Sequence, residues 1–86
     1  MVNKALLKSK MALNNDNNKT LSVKLQLSPS NFSSKLNSKN KFTDREKNFI
    51  RIEYNLTDTE FVEIFFYKFF YKLSLQMDTR RKNWIL

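Results

Sequence analysis

The side chains in this sequence that could do chemistry are few in kind. It contains no cysteine and no histidine, which removes disulfides, thiol nucleophiles, imidazole acid–base catalysis and zinc sites of the usual Cys/His type. The carboxylates Asp44, Glu46, Glu53, Asp58, Glu60 and Glu63 fall where helix caps and solvent-facing positions account for them, and no convergent pair with a nucleophile or metal-ligand spacing stands out. The sequence therefore predicts a non-enzymatic chain with no metal, no other cofactor and no small-molecule substrate. What remains is the chemistry of recognition, carried by amides, hydroxyls and lysines. Sixteen Lys and Arg against eight Asp and Glu leave a formal charge of +8, which favours polyanionic partners, nucleic acid ahead of an anionic membrane surface. The plain alternative is that the charge only aids solubility.

Eighty-six residues make one domain at most, and a core that small gains from a partner or dimer mate. The N-terminus reaches Lys8 before an apolar signal region can form, so no secretory signal is expected and the expected setting is cytoplasmic. The longest apolar run, Phe61 to Tyr71, is interrupted by Glu63 and Lys68 and is too short to span a bilayer. Glycine is absent, so each left-handed turn must be made by Asn, Asp or another tolerant residue.

The elements that must position the polar side chains read as short helices. Residues 3–13 predict a first helix with Asn3 as N-cap, an apolar stripe of Ala5, Leu6, Met11 and Leu13, and a basic face of Lys4, Lys8 and Lys10. Asn14 to Asn18 read as a turn. Thr20 to Gln26, with Leu21 and Leu25 four apart, predicts a second helix. Ser28-Pro29 is an N-cap followed by a proline at the first helical position, opening a third helix to about Asn37 with Phe32 and Leu36 on its buried side. Thr43/Glu46 and Thr57/Glu60 are capping boxes opening a fourth and a fifth helix. The fourth carries Phe49, Ile50 and Tyr54 inward and is closed by Asn55 in a left-handed conformation; the fifth carries Phe61, Val62, Ile64 and Phe65. From Tyr67 onward, helical and alternating spacings compete, and the reading adopted is a helix fraying near Phe70 followed by an extended segment.

Leu21 to Leu36 is the informative stretch. Two short helices joined by a tight turn, with apolar residues at Leu21, Leu25, Leu27, Phe32 and Leu36, suit a helix pair crossing steeply over a small shared core. The outward face of the second is bare of bulk and able to enter a major groove. Here the sequence resembles the repressor/Cro-like helix-turn-helix family, as found in many small phage-encoded regulators of low-GC Gram-positive bacteria. The resemblance runs from about Asn3 to Phe66 and is sharpest from Lys19 to Asn37, with Asn40-Lys41-Phe42-Thr43 and Tyr54-Asn55-Leu56-Thr57 matching the five-helix version. Three positions depart from it: Gln26 and Ser38 stand where glycine is usual, and Ser22 where a small alanine-like residue is. A non-glycine residue held at positive φ costs on the order of 1 kcal/mol.

The resemblance implies an all-α, five-helix domain over residues 1–66, a C-terminal segment over 67–86 that mediates dimerisation, and sequence-specific double-stranded DNA binding as a small transcriptional regulator, a repressor by expectation. Mapped onto it, Ser30, Asn31 and Ser34 face base edges; Asn31 is the best candidate, since an amide can pair in two directions with adenine. Asn18, Lys19 and Thr20 on one side, and Lys35, Lys39, Asn40 and Lys41 on the other, hold phosphates. For Phe65, Phe66, Phe69 and Phe70 two readings stand: a homodimer interface, as two-fold half-sites require, or rings that cover the domain's own helices. A competing function is a protein-binding inhibitor or adaptor built on the same fold, such as a phage inhibitor of a host nuclease. RNA or membrane-surface binding ranks lower, because the aromatics cluster in the final third and only Lys68 and Lys72 give that segment a basic face.

Overall fold

A computed structural model describes residues 2–66. They form five α-helices: α1 (Lys4–Leu13), α2 (Asn18–Lys24), α3 (Pro29–Leu36), α4 (Asp44–Glu53) and α5 (Asp58–Phe65). There is no strand among the described residues. Residues 67–86, which hold the segment expected to fray and then extend, lie outside them.

Every helix starts on a side-chain cap. The Asn3, Asn17, Ser28, Thr43 and Thr57 side chains accept from the backbone N–H three residues on, satisfying a donor that has no partner inside the helix. Thr43/Glu46 and Thr57/Glu60 form the expected reciprocal boxes. A third box starts α2 two residues earlier than its apolar spacing predicts: Thr20 N donates to Asn17 Oδ1 (2.9 Å) and Asn17 N donates to Thr20 Oγ1 (2.8 Å). Threonine here does the work usually given to Glu or Gln, so the sequence pattern passes unnoticed.

The first four helices also end alike. Asn15, Gln26, Ser38 and Asn55 have φ of 60°, 59°, 62° and 48°. The residue after each donates its N–H five residues back, as in Asp16 N to Met11 O (2.8 Å) and Leu27 N to Ser22 O (2.9 Å). This is the Schellman closure, which ordinarily uses glycine. Asparagine tolerates the left-handed region; Gln26 and Ser38 carry its steric cost.

One core unites the helices: Leu7, Met11, Leu21, Phe32, Leu36, Phe42, Ile50, Tyr54, Leu56, Ile64 and Phe65. Phe42 sits between Phe32 and Phe65, edge-on to both, with ring centroids 6.1 and 5.6 Å away. Two expectations need correction. In α1 the buried stripe is Leu7 and Met11, one turn apart, whereas Ala5 is exposed and Leu13 is 74% exposed. Leu13 lies two residues past Met11 and so about 200° round the helix. Phe65, expected at a dimer interface, is a core residue. Phe66 is 41% exposed, with the Lys47 ammonium 4.7 Å from its ring centre, and Phe69 and Phe70 fall outside the described residues. No helix among the described residues is long and apolar enough to cross a membrane.

Candidate nucleic-acid interface

The α2–α3 pair is built so that its polar residues stay outside. Leu21 and Ser22 are the buried residues of α2. Ser22 is fully buried, its hydroxyl turned back onto Lys19 O (2.7 Å), which lets a serine occupy a site that needs a small side chain. The turn Leu25–Ser28 passes through Gln26 at positive φ, with Leu25 and Leu27 packed on the core's edge. In α3, Ser28 Oγ accepts from Asn31 N (3.2 Å) and Pro29 follows at the first helical position. Phe32 and Leu36 point inward. Ser30, Asn31 and Ser33 are exposed, and the Asn31 amide makes no hydrogen bond among the described residues. Ser34 is half-buried, and its carbonyl accepts from Lys39 N (2.8 Å) and Asn40 N (3.3 Å), fixing the loop that follows.

Of the residues expected at phosphates, Asn18, Lys19, Lys39, Asn40 and Lys41 are exposed and flank α3 in two groups. Thr20 and Lys35 are not free in the same way. Thr20 Oγ1 is spent on the α2 cap and on Asp16 Oδ1 (2.8 Å). Lys35 donates to both oxygens of Glu46 (2.6 and 2.8 Å), and the two side chains are only 14% and 11% exposed. Lys35 thus ties α3 to α4. Burial works to raise the Glu46 carboxyl, but the Lys35 hydrogen bond, the Thr43 N–H (2.9 Å) and the lysine charge outweigh it and hold the group below its ordinary value.

Asp16, which is not among the residues the sequence marks for the interface, organises the other side. Its side chain is 3% exposed and accepts from Tyr54 Oη (2.6 Å), Thr20 Oγ1 (2.8 Å) and Lys24 Nζ (3.1 Å), joining the α1–α2 turn, α2 and the end of α4. Burial works to raise this carboxyl too; the Tyr54, Thr20 and Lys24 hydrogen bonds overcome it and the net shift is downward. Tyr54 is pushed up, by burial first and then by its bond to Asp16. The spacing Asp16, Thr20, Lys24, four apart each time, is the signal that sequence reasoning could have used.

Charge is segregated along the chain. Residues 17–43 hold five lysines and no Asp or Glu, whereas six of the seven acids among the described residues lie in α4 and α5. The first turns of α2 and α3 carry no acid; those of α4 and α5 carry Asp44 and Glu46, and Asp58 and Glu60. A helix start with only neutral caps keeps its positive end available to an outside anion. Among the described residues no group of three or more His, Cys, Asp or Glu is placed to hold a metal ion. No family model, curated protein or solved structure matches the chain.

Proposed function

We propose that this chain is a helix-turn-helix protein that binds double-stranded DNA by sequence and acts as a small transcriptional regulator, by occupancy of an operator and without catalysis. The observation that carries this reading is the acid-free α2–α3 pair: a helix whose exposed residues are Pro29, Ser30, Asn31 and Ser33, anchored on its other face by Phe32 and Leu36, and flanked by exposed lysines. With α3 in the major groove, Asn31 pairs bidentately with an adenine and Ser30 contacts a neighbouring base edge. Ser34, half-buried a turn further on, reaches less far. Asn18 and Lys19 before α3, and Lys39, Asn40 and Lys41 after it, bind the backbone on either side and set the register. A repressor acting this way blocks polymerase by covering its site, and two copies reading a two-fold operator is the natural assembly.

Selection of preferred sites from random duplexes tests the reading: an enriched, two-fold symmetric motif is expected. Asn31→Ala should then lower affinity for the selected site by about 1–3 kcal/mol and relax preference at one base position, with no change in thermal stability. Absence of any enriched motif would move the same exposed face to a protein partner.

A further inference from the structure

The two groups of phosphate-facing residues are joined on the molecule's surface by α1. At its start, Val2 N donates to Ser38 Oγ (3.0 Å) and Lys4 Nζ to Asn37 Oδ1 (2.8 Å), which seats the first turn of α1 against the end of α3, next to Lys39. One turn later, Lys8 lines a shallow groove with Asn17, Asn18 and Lys19 at the beginning of α2. Lys4 and Lys8 are four residues apart, so they stack on one helix face, about 6 Å apart along the axis. The order of cations across this surface is Lys39, Lys4, Lys8, Lys19. All four are exposed, and none forms an ion pair among the described residues. By contrast Lys10, on the opposite flank of α1, pairs with Glu60, and Lys47 and Arg51 pair with Asp44 and Asp58. Among the described residues the acid beside the track, Asp16, is almost fully covered and already takes hydrogen bonds from Tyr54, Thr20 and Lys24.

Of the six cations that form no ion pair among the described residues, these four are neighbours on one surface; they keep a positive strip exposed, and the ligand that matches a strip is a linear polyanion. Phosphates of one DNA strand advance about 3.4 Å each along the duplex axis, so one turn of α1 matches the spacing of about two of them. We infer that Lys4 and Lys8 of α1 contact the phosphate backbone of the bound duplex, making the two phosphate clamps flanking α3 one uninterrupted track. This rests on the DNA-binding reading above and adds to it a helix outside the reading pair.

The test is the salt dependence of binding to a random-sequence duplex for the full chain, K8Q, K4Q/K8Q and K4R. Each lost phosphate contact lowers the slope of log affinity against log salt by about 0.9. The slope should fall by about one in K8Q and about two in K4Q/K8Q, and K4R should keep it, with the selected site unchanged in all and the melting temperature unchanged in K8Q. An unchanged slope in K4Q/K8Q, alongside a lowered one in K19Q, would remove α1 from the interface and leave the DNA reading intact. No salt-sensitive duplex binding by the unaltered chain would overturn both.

Discussion

Residues 2–42 and residues 43–66 make helices of similar length, 7 to 10 residues, each started by a side-chain cap, yet they put side chains of opposite charge outside. The first region closes its helix starts with Asn3, Asn17 and Ser28 and places no acid in any first turn; the second uses threonine caps backed by Asp44, Glu46, Asp58 and Glu60. Acids in a first turn stabilise a helix through its dipole, so the second region takes stability that the first forgoes. The first region also holds Gln26 and Ser38 at positive φ. Stability is concentrated in one region: α4 and α5 hold the frame, through Glu46 on Lys35, Tyr54 on Asp16 and Phe65 on Phe42, while α1 to α3 present unneutralised cations and amides, the groups the proposed recognition needs.

The largest expected effect comes from breaking the frame. Phe65→Ala removes a buried ring packed on Phe42 and Phe61 and should cost about 3–5 kcal/mol in a urea melt. That loss should not depend on protein concentration; a concentration-dependent loss would return Phe65 to a dimer interface.

Glu46→Gln leaves Lys35 without its charged acceptor and should cost about 1.5–3 kcal/mol. Glu46 contributes to the acid limb together with Asp16 and with Glu60, which its Lys10 hydrogen bond lowers to about 2. Glu46 and Asp16 have folded values below their ordinary 4.5 and 3.8, so each stabilises the fold while ionised. Their contribution is whole above those ordinary values and fades as pH falls through the folded ones. Stability measured against pH should therefore drop in acid, and less steeply in Glu46→Gln; curves of equal steepness would deny Glu46 that role.

Gln26→Gly relieves a left-handed residue and should stabilise by about 1 kcal/mol, a rise of about 4–8 °C in melting temperature for a domain of this size. A lower melting temperature would show that the Gln26 side chain repays its strain.

The smallest effect on stability, and the sharpest on the comparison, is Ser30→Glu. It gives α3 the acidic first turn that α4 and α5 already have, so stability should hold or rise by about 0.3–1 kcal/mol. Duplex binding should be lost, because a carboxylate then faces the phosphates and base acceptors. A variant that still binds as before would place α3 away from DNA.

Much of the frame was legible because caps are local. Asn3, Ser28-Pro29, Thr43/Glu46, Thr57/Glu60 and Asn55 each announce a helix boundary within four residues, and Phe32, Leu36, Ile50 and Ile64 are the apolar choices their spacing allows. Where several apolar residues adjoin, the choice among them was not fixed: Ala5-Leu6-Leu7 admits more than one stripe, and Phe65-Phe66 more than one inward ring. Of the candidate interface, the exposed face of α3 was readable from its small side chains. Lys35 reads as a free cation in sequence because its partner Glu46 lies eleven residues on in another helix, and the Asp16, Thr20, Lys24 spacing shows two of the Asp16 partners but not Tyr54, 38 residues away. Ion pairs made across helices leave no trace in local spacing.

The most direct test of the division between reading and framing regions is an amide-resolved NMR titration of the chain with its selected duplex. Shifts should concentrate at Asn18–Thr20, Ser28–Ser34 and Asn37–Lys41, with Lys4 and Lys8 following, while exposed Ile52, Asp58 and Thr59 stay in place. Shifts centred on α4 and α5, or none at all under conditions where other basic domains respond, would contradict the account.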